Sequence, residues 1–351
     1  MEIAAILFSL FFALNIGASG AAASMGIAYG SGAIKKPIYA LSVCAVGILA
    51  GSVIGGGEVV KTISSGIMPE SVITLEIVCI IIGSAALSLF IANLLAIPLS
   101  TSEVTVGAVA AAYKVLYVKS ILVIVSFWVI IPIVAFVFTF VVVKIIRLFP
   151  KRTLSKKGTL ILSVVLIISG FLEAFSAGMN NVANAVGPLV ASGVLSVGQG
   201  TLYGGIFVAI GALLLGRRVL ETNGKKITRY QTGEGILLSS TGAGLVIVSS
   251  IFGLPVPLTQ ITSSSIIGLG MAKGGPNIFH KHVVKKMLKV WVVSPFLSLS
   301  LSYLLVSLFL KGDYYSIFIM MSVLLASLGA LSLMKAVKNE SSSIHEQGGG
   351  I

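Results

Sequence analysis

Residues 171–196 read FLEAFSAGMNNVANAVGPLVASGVLS and lie within an apolar run that is long enough to cross a bilayer. Three asparagines, Asn180, Asn181 and Asn184, fall within five consecutive residues of this stretch. A side-chain amide in hydrocarbon costs free energy unless it finds hydrogen-bonding partners. We therefore expect the stretch to face other segments of the protein or a water-filled cavity at membrane depth.

Glycine and proline in the same stretch predict an interrupted helix. We expect one break near Gly178 and another near Gly187-Pro188, because both residue types disfavour a regular helix interior. A helix broken at the membrane midplane exposes N–H groups and the positive end of its dipole, an arrangement with which transporters hold anions. A polar seam between packed helices, where Asn, Ser and Gly also collect, is the alternative interpretation.

The composition is that of a membrane protein. Of the 351 residues, 56% are hydrophobic and only 10% are charged, and the mean hydropathy is +1.08. A soluble globular domain has about a quarter of its residues charged. The chain is therefore predicted to be an all-α polytopic membrane protein embedded in the lipid bilayer.

The net charge of +13 does not indicate nucleic-acid binding. Of the 24 Lys and Arg residues, 20 lie in five hydrophilic stretches that flank apolar spans, namely 35–36, 144–157, 217–229, 273–289 and 335–338. This pattern is typical of cytoplasmic loops, whereas a nucleic-acid surface would gather the basic residues on one soluble face. The single cysteines Cys44 and Cys79 have no disulfide or metal spacing, and no cofactor is expected.

The chain repeats itself at an offset of 161 residues, the difference between Gly178 and Gly17. Residues 2–33 form a first long apolar stretch interrupted at 15–20, and Ser31-Gly32 corresponds to Ser192-Gly193. Equivalent loops carry opposite charge, which is typical of inverted-topology repeats with the substrate site at their interface. With about 11 spans expected, the predicted map is a first inverted repeat (1–146), a basic cytoplasmic linker (147–158), a second inverted repeat (159–310), an extra C-terminal span (311–337) and a disordered tail (338–351).

The charge asymmetry also predicts the orientation in the membrane. We expect a multi-pass protein of the cell (plasma) membrane with a cytoplasmic C-terminus. The residues expected inside are Lys35, Arg152, Lys225 and Lys285, and those expected outside are Glu70 and Gln199.

Residues 178–188, GMNNVANAVGP, resemble the signature G-A-N-D-V-A-N-A-x-G-P of the inorganic phosphate transporter (PiT) family. A second family hallmark, P-x-S-T-T-H/Q, is similar to residues 98–103 (PLSTSE) and more loosely to residues 255–260 (PVPLTQ). The resemblance implies two inverted repeats with broken helices or re-entrant hairpins. It also implies a tetrahedral oxyanion held between hairpin tips, coupling to a cation, and a homodimer.

The sequence departs from this pattern where the family has aspartate. The signature Asp is Asn181 in the second repeat and Gly20 or Ser19 in the first, and Asp313 is the single Asp of the chain. Sulfate at neutral pH has no proton to offer a carboxylate, whereas HPO₄²⁻ has one, so an amide donor in this position suits sulfate. The sequence therefore looks like the bacterial sulfate permeases of this superfamily. Phosphate, or another oxyanion such as thiosulfate or molybdate, is the alternative.

The candidate anion donors are neutral amides and hydroxyls near the two hallmarks. They are Asn180, Asn181, Asn184, Ser100, Thr101, Ser102, Thr259, Ser263 and Ser264, with Ser19 and Ser24 as weaker candidates from the first repeat. Glu103 and Glu173 are the ion-coupling candidates, because ionisable residues at membrane depth are often functional. A Glu that only hydrogen-bonds a neighbouring helix end is the alternative for Glu103.

These observations together predict a secondary active transporter that imports sulfate by proton symport. Sodium coupling is less expected, because sodium needs hard and negatively charged oxygen ligands. The alternatives are a sodium- or proton-coupled phosphate symporter and a permease for another tetrahedral oxyanion. An enzyme is not expected, since the apolar core offers neither a His nor a Cys–His pair. A channel would also contain broken helices, but paired repeats fit alternating access better.

Overall fold

A computed structural model describes residues 1–94, 99–112, 116–149, 155–221, 231–280 and 282–322. These residues form helices and connecting turns, with no β-strand among them, so the predicted all-α class is confirmed. The chain divides into two units, Met1–Ser302 and Tyr303–Ile351, which are described separately. Part of the predicted basic linker, including Arg152, lies outside the described residues, as do Lys225, most of the last predicted span and the tail 338–351.

The described helices account for most of the predicted spans. In chain order they are α1 (Glu2–Ile16), α2 (Gly26–Gly30), α3 (Pro37–Gly55), α4 (Gly57–Ser65), α5 (Leu75–Leu94), α6 (Thr101–Ala112), α7 (Val118–Ile146), α8 (Lys156–Ala191), α9 (Val197–Leu215), α10 (Arg217–Glu221), α11 (Thr232–Ile251), α12 (Leu258–Gly274) and α13 (His282–Phe309). Within this part of the chain, 8 helices are long and apolar enough to cross a membrane: α1, α3, α5, α7, α8, α9, α11 and α13.

The first long stretch is interrupted, as the sequence predicts. Helix α1 passes into a π-helical segment at Gly17–Ala21, and a turn then leads into the short helix α2. Glycine and small residues fill this segment, and π-helical insertions occur frequently at functional sites. The interruption places Gly20 beside the polar residues described below.

The second long stretch is not interrupted, so the predicted breaks near Gly178 and Gly187-Pro188 are wrong. Helix α8 runs without a break for 36 residues. A side chain at Gly178 would collide with the backbone of Ile48, and one at Gly187 would collide with Ile63. These glycines therefore permit close helix packing. Pro188 lies one turn before the end of α8, where its missing N–H removes only one helical hydrogen bond.

The glycines reveal reciprocal packing between the two halves of the chain. Four of the close approaches between glycine and backbone are Gly17 to Val208, Gly211 to Leu14, Gly178 to Ile48 and Gly51 to Phe175. The first two join α1 and the π-helical segment that follows it to α9, and the last two join α8 to α3. Since α8 follows α1 at an offset of 161 residues, equivalent helices make equivalent contacts. Each half thus packs against the other half.

The ends of the two long stretches also correspond. Gly32 and Gly193, which are equivalent at the same offset, both adopt a left-handed backbone with φ of 80° and 74°. Only glycine reaches this conformation without strain, so the two stretches end in the same kind of turn. The repeat is therefore visible in the structure, while its inverted orientation stays a prediction.

Helices α6 and α12 begin within the two hallmark segments, and each makes a hydrogen bond to α8. A non-helical segment, residues 253–257, precedes α12. The indole Nε1 of Trp128 in α7 donates a 2.9 Å hydrogen bond to the carbonyl of Pro255 and so anchors this segment. Helix α12 packs along α7, and α6 lies between α5 and α8. This arrangement brings the N-terminal ends of α6 and α12 to the asparagines of α8.

The second unit contains the end of α13 and the start of another helical segment at residues 315–322. Gly312, with φ of 63°, makes the turn between them. The carboxylate of Asp313 then accepts hydrogen bonds from the Tyr315 N–H (3.0 Å) and from the Ser316 hydroxyl (2.9 Å). Asp313 therefore caps this segment, which begins where the last predicted span is expected.

Candidate functional site

The three asparagines of α8 are buried, with exposed fractions of 0% for Asn180, 3% for Asn181 and 0% for Asn184. Their spacing places them on neighbouring positions of one helix surface. That surface faces the start of α6 and the segment before α12. The amides therefore find partners from both halves of the chain, which is what their position at membrane depth requires.

Asn180 is fully engaged in holding the segment before α12. Its Nδ2 donates to the Ser250 hydroxyl (3.0 Å) and to the Leu254 carbonyl (2.9 Å). Its Oδ1 accepts from the Val256 N–H (3.1 Å) and lies 3.3 Å from the Ser102 hydroxyl. No donor of Asn180 is left for a ligand in this arrangement. Asn180 therefore positions the neighbouring elements.

Asn181 and Asn184 contact the first turn of α6. The Thr101 hydroxyl donates to Asn181 Oδ1 (3.1 Å), and Asn184 Nδ2 lies 3.3 Å from both the Thr101 and the Ser102 hydroxyls. Asn184 Oδ1 is buried without a hydrogen-bonding partner among the described residues. Asn181 Nδ2 donates no hydrogen bond within that same part of the chain, so this amide group has donors to spare.

A small cavity of about 10 Å³ lies beside Asn181, and both halves of the chain line it. The lining residues are Gly20, Leu99, Ser100, Thr101, Asn181, Leu258 and Thr259. The first turns of α6 and α12 both border this cavity. The first N–H groups of a helix have no partner within it and carry the positive end of its dipole. The cavity is thus surrounded by neutral donors and two helix N-termini, the environment that an anion needs.

Four of the predicted donors lie elsewhere. The Ser19 hydroxyl donates to the backbone of its own helix, and Ser24 is buried 3.6 Å from the sulfur of Cys44. Ser263 is partly exposed, and Ser264 lines a second and larger cavity. The structure therefore brings together Ser100, Thr101, Asn181 and Thr259 around the small cavity, with Ser102, Asn180 and Asn184 directly behind them.

Glu103 is buried two positions after Thr101, with 2% of its surface exposed. Its N–H donates to the Ser100 hydroxyl (3.4 Å), and its carboxylate accepts a hydrogen bond from the side-chain amide of Gln260. The second carboxylate oxygen of Glu103, Oε2, is buried without a hydrogen-bonding partner among the described residues. Glu103 takes part in no ion pair among the described residues. A buried carboxylate that meets only neutral groups is costly in its charged form.

Glu173 occupies a separate polar position on α8. It is 3% exposed, and its Oε1 accepts a 3.1 Å hydrogen bond from the Thr262 hydroxyl. The hydroxyl of Ser239 lies beside it. The residues that line the small cavity include neither Glu173 nor Glu103. Any coupling between these carboxyls and the cavity must therefore pass through the helices that carry them.

Sequence analysis missed Gln260 and Gly20. Gln260 is the last residue of the hallmark copy at 255–260 and occupies the position that Glu103 occupies in the copy at 98–103. That equivalence was available in the sequence and could have identified Gln260 as a partner of Glu103. Gly20 was available only as a position aligned with the missing Asp, because a glycine offers no functional group.

The fold and the site together define a polytopic helical membrane protein with a buried, uncharged polar site where its two halves meet. The model of the Phosphate transporter family matches residues 16–302. The chain therefore belongs to this family, as the two hallmarks predict.

Known relatives agree with this assignment. The chain is 75% identical over 354 residues to sulfate permease CysP of Bacillus subtilis (strain 168), an alignment that covers 100% of both chains. It is 33% identical over 155 residues to the chloroplastic inorganic phosphate transporter 2-1 of Arabidopsis thaliana, covering 42% of this chain and 26% of that protein. A solved structure, the sodium-dependent phosphate transporter, superposes with a TM-score of 0.78 at 23% identity and covers 87% of this chain and 97% of that one.

Proposed function

We propose that this protein is a secondary active transporter that imports sulfate by proton symport, with the anion bound at the small cavity between the two repeats. The observation that carries the proposal is Asn181, an amide with unused donors at the cavity wall, in the position where the family signature has Asp. The similarity to a protein named sulfate permease supports the same substrate.

The chemistry of the lining favours a fully ionised anion. A dianion in a site of low dielectric needs a donor at each oxygen, because every unmet charged contact costs several kcal/mol. Asn181 Nδ2, the hydroxyls of Ser100 and Thr259, and the free N–H groups of two helix starts supply such donors, while the Thr101 hydroxyl donates to Asn181 Oδ1. A carboxylate would repel sulfate here, whereas HPO₄²⁻ could donate its proton to it. The absence of Asp from the cavity therefore selects sulfate over phosphate.

Anion entry requires the site to open. A cavity of about 10 Å³ holds about one water molecule, far less than a tetrahedral oxyanion occupies. The starts of α6 and α12 must therefore separate from α8 when the anion binds. Asn180 holds the segment before α12 by two hydrogen bonds, from its Nδ2 to the Leu254 carbonyl and from the Val256 N–H to its Oδ1. The start of α6 is bonded to Asn181 and Asn184 through Thr101 and Ser102, so these hydrogen bonds must break or shift when the site opens.

Proton coupling is assigned to Glu103. A proton neutralises this buried carboxylate, which has no basic partner among the described residues. Its N–H bonds the Ser100 hydroxyl at the cavity wall, so a change at Glu103 is transmitted directly to the anion site. Glu173 is the second candidate. Sodium symport is the alternative, but the cavity lining offers sodium no carboxylate ligand.

The remaining architecture follows from the same proposal. The two inverted repeats, 1–146 and 159–310, are joined by the basic linker and followed by an extra span and a tail. The protein lies in the plasma membrane with its C-terminus in the cytoplasm and forms a homodimer. Alternating access arises when the repeats exchange conformations around the site at their interface.

The experiment that tests this function is uptake of radiolabelled sulfate into proteoliposomes, with unlabelled phosphate or thiosulfate as competitor. We expect sulfate to accumulate on an inward proton gradient, to be displaced poorly by phosphate, and to be unaffected by sodium. Acceleration of exchange by unlabelled sulfate on the far side would distinguish a carrier from a channel. Preferential uptake of phosphate would refute the substrate assignment, and accumulation that follows sodium would refute the coupling.

A further inference from the structure

A second cavity of about 730 Å³ lies among α6, α7, α12 and α13. Its walls are almost entirely apolar and include the only two tryptophans of the chain, Trp128 and Trp291. Each tryptophan is followed four residues later by a proline inside its helix, Pro132 in α7 and Pro295 in α13. The same W-x₃-P pattern therefore recurs at an offset of 163 residues (291 minus 128), and all four residues line the cavity.

The cavity wall as a whole obeys this internal symmetry. Nine pairs of equivalent residues occur among the described residues that line it, at an offset of 163 between α7 and α13 and of 157 between α6 and α12. One such pair is Glu103 and Gln260, whose side chains contact each other directly. A residue can touch its own symmetry equivalent only at the symmetry axis. The Glu103–Gln260 contact therefore lies on the axis that relates the two repeats.

This contact also adjoins the proposed anion site. Thr101 and Thr259 line the small cavity, while Glu103 and Gln260, two and one positions further along, line the large one. The same helix starts thus separate the two cavities. In an alternating-access cycle the repeats exchange conformations, and a contact on their axis is retained in both states. A carboxyl at this point contacts the same partner throughout the cycle.

We propose that Gln260 is a positioning residue for proton coupling. The coupling carboxyl functions at position 103 or at position 260, as long as the other position carries the amide. The inference rests on the proposed function, because it assumes that a proton bound here drives anion transport. Gln260 donates to the carboxylate when the site is deprotonated and can turn its amide oxygen toward the carboxyl O–H when a proton binds. Exchanging the two residues preserves both hydrogen bonds.

The surroundings contain no other titratable group at this point. Glu103 is the one titratable side chain among the described residues that line the large cavity. The ionisable groups on the packed elements lie elsewhere: Glu173 on α8 bonds Thr262, and Lys273 at the end of α12 pairs with Glu234. Among the residues whose side chains are described, the remaining ones are Glu76 and Cys79 on α5, Lys119 and Lys144 near the two ends of α7, Lys156 and Lys157 at the start of α8, and Lys285, Lys289 and Tyr303 on α13.

The two tryptophans provide a direct readout of this contact, because all tryptophan fluorescence of the chain comes from the wall of this cavity. The experiment is a fluorescence titration of the purified full chain over about pH 4 to 9, a range in which buried carboxyls titrate. We expect a transition in the wild type, no transition in Glu103→Gln, and a restored transition in the exchanged variant Glu103→Gln/Gln260→Glu. A matched control, Glu103→Gln/Gln199→Glu, has the same composition with its new carboxyl at an exposed capping position and should show no transition.

Transport separates the inference from the proposed function. In proteoliposomes the exchanged variant should regain proton-driven sulfate accumulation that Glu103→Gln lacks, while sulfate exchange persists in both. Gln260→Leu, which keeps the carboxyl but removes its donor, should lower accumulation about tenfold, as the loss of a hydrogen bond to a charged group does. A flat titration of the wild type or of the exchanged variant, or undiminished accumulation in Gln260→Leu, would overturn the inference. Undiminished accumulation in Glu103→Gln would instead refute the proposed coupling.

Discussion

Asn180, Asn181 and Asn184 share one surface of α8 but contact different partners. Asn180 is held by four groups, three of which come from the segment before α12 and the end of α11. Asn181 lines the small cavity, its Oδ1 accepts one hydrogen bond, and its Nδ2 donates none to the described residues. One sequence motif thus contains a residue that builds the site and a residue that is free to bind.

At Asn181 we predict a change of selectivity. Asn181→Asp places a carboxylate at the cavity wall and removes a donor, so sulfate uptake should fall about a hundredfold, equivalent to about 3 kcal/mol. Phosphate uptake should fall less, because HPO₄²⁻ can donate its proton to the new carboxylate. The measurement is uptake of both labelled anions at matched expression. Equal loss of both anions would mean that Asn181 is structural.

Asn180→Asp is the control for this selectivity change. It removes the donors to Ser250 and Leu254 while leaving the cavity lining unchanged. We expect it to reduce the folded yield and the uptake of both anions in parallel. A selective loss of sulfate in this variant would contradict the division of roles between the two asparagines.

The residues of the site were largely predictable, but their separate roles were not. The two hallmarks identified Thr101, Asn181 and Thr259, which the structure brings to one cavity. Ser19 and Ser24 were included because they align with the signature. In the structure the Ser19 hydroxyl donates to the Asn15 carbonyl, and the Ser24 hydroxyl lies 3.6 Å from the Cys44 sulfur. Which polar atoms of a side chain are free depends on partners that lie far away in the sequence. One example is the Val256 N–H, which donates to Asn180 Oδ1.

At the level of single elements, α8 shows that a glycine-rich sequence need not break a helix. Sequence analysis treated Gly178 as a helix breaker because glycine has high conformational freedom. The neighbouring helix α3 instead approaches α8 so closely at this point that no side chain fits. The first half differs, since its equivalent stretch is π-helical after Ile16. Gly17 and Gly178 are equivalent, yet the regular helix ends just before Gly17 and continues through Gly178.

This interpretation predicts that Gly178 is needed for packing. Gly178→Ala places a methyl group on the backbone of Ile48 and should destabilise the protein by about 1–3 kcal/mol through overpacking. Gly244→Ala in α11 is a matched control, because open space surrounds that position and alanine favours the helix. The measurement is the thermal unfolding midpoint of the detergent-purified chain. An equal or higher midpoint for Gly178→Ala would contradict the packing role.

At the scale of the whole molecule, the halves interlock in a way that the sequence did not reveal. The offset of 161 residues predicts the repeat, and Gly32 and Gly193, which are equivalent at this offset, adopt the same left-handed turn. The packing of α1 on α9 and of α8 on α3 could not be predicted, because glycine spacing marks a close approach but not its partner. The orientation of the two repeats follows only from the charge of their loops.

The final prediction concerns this orientation and uses pairs of positions in corresponding loops of the two halves. The first pair is Lys35→Cys and Gly198→Cys, just beyond the two left-handed turns, and the second is Ser71→Cys and Gly233→Cys. All four positions are exposed, and the native Cys44 and Cys79 are buried, so the wild type is the unlabelled control. With intact cells, a membrane-impermeant maleimide should label positions 198 and 71. Positions 35 and 233 should react only after permeabilisation.

The reason for this expectation is that basic loops stay on the cytoplasmic side. Position 35 adjoins Lys36, whereas its equivalent region at 194–200 contains no basic residue. If both members of a pair were labelled from the same side, the repeats would be parallel. The axis relating them would then run along the membrane normal. Exchanging the conformations of two parallel repeats would not convert an inward-facing state into an outward-facing one, so the Glu103–Gln260 contact would lose its proposed role. The labelling pattern therefore tests the architecture on which the roles of Glu103 and Gln260 depend.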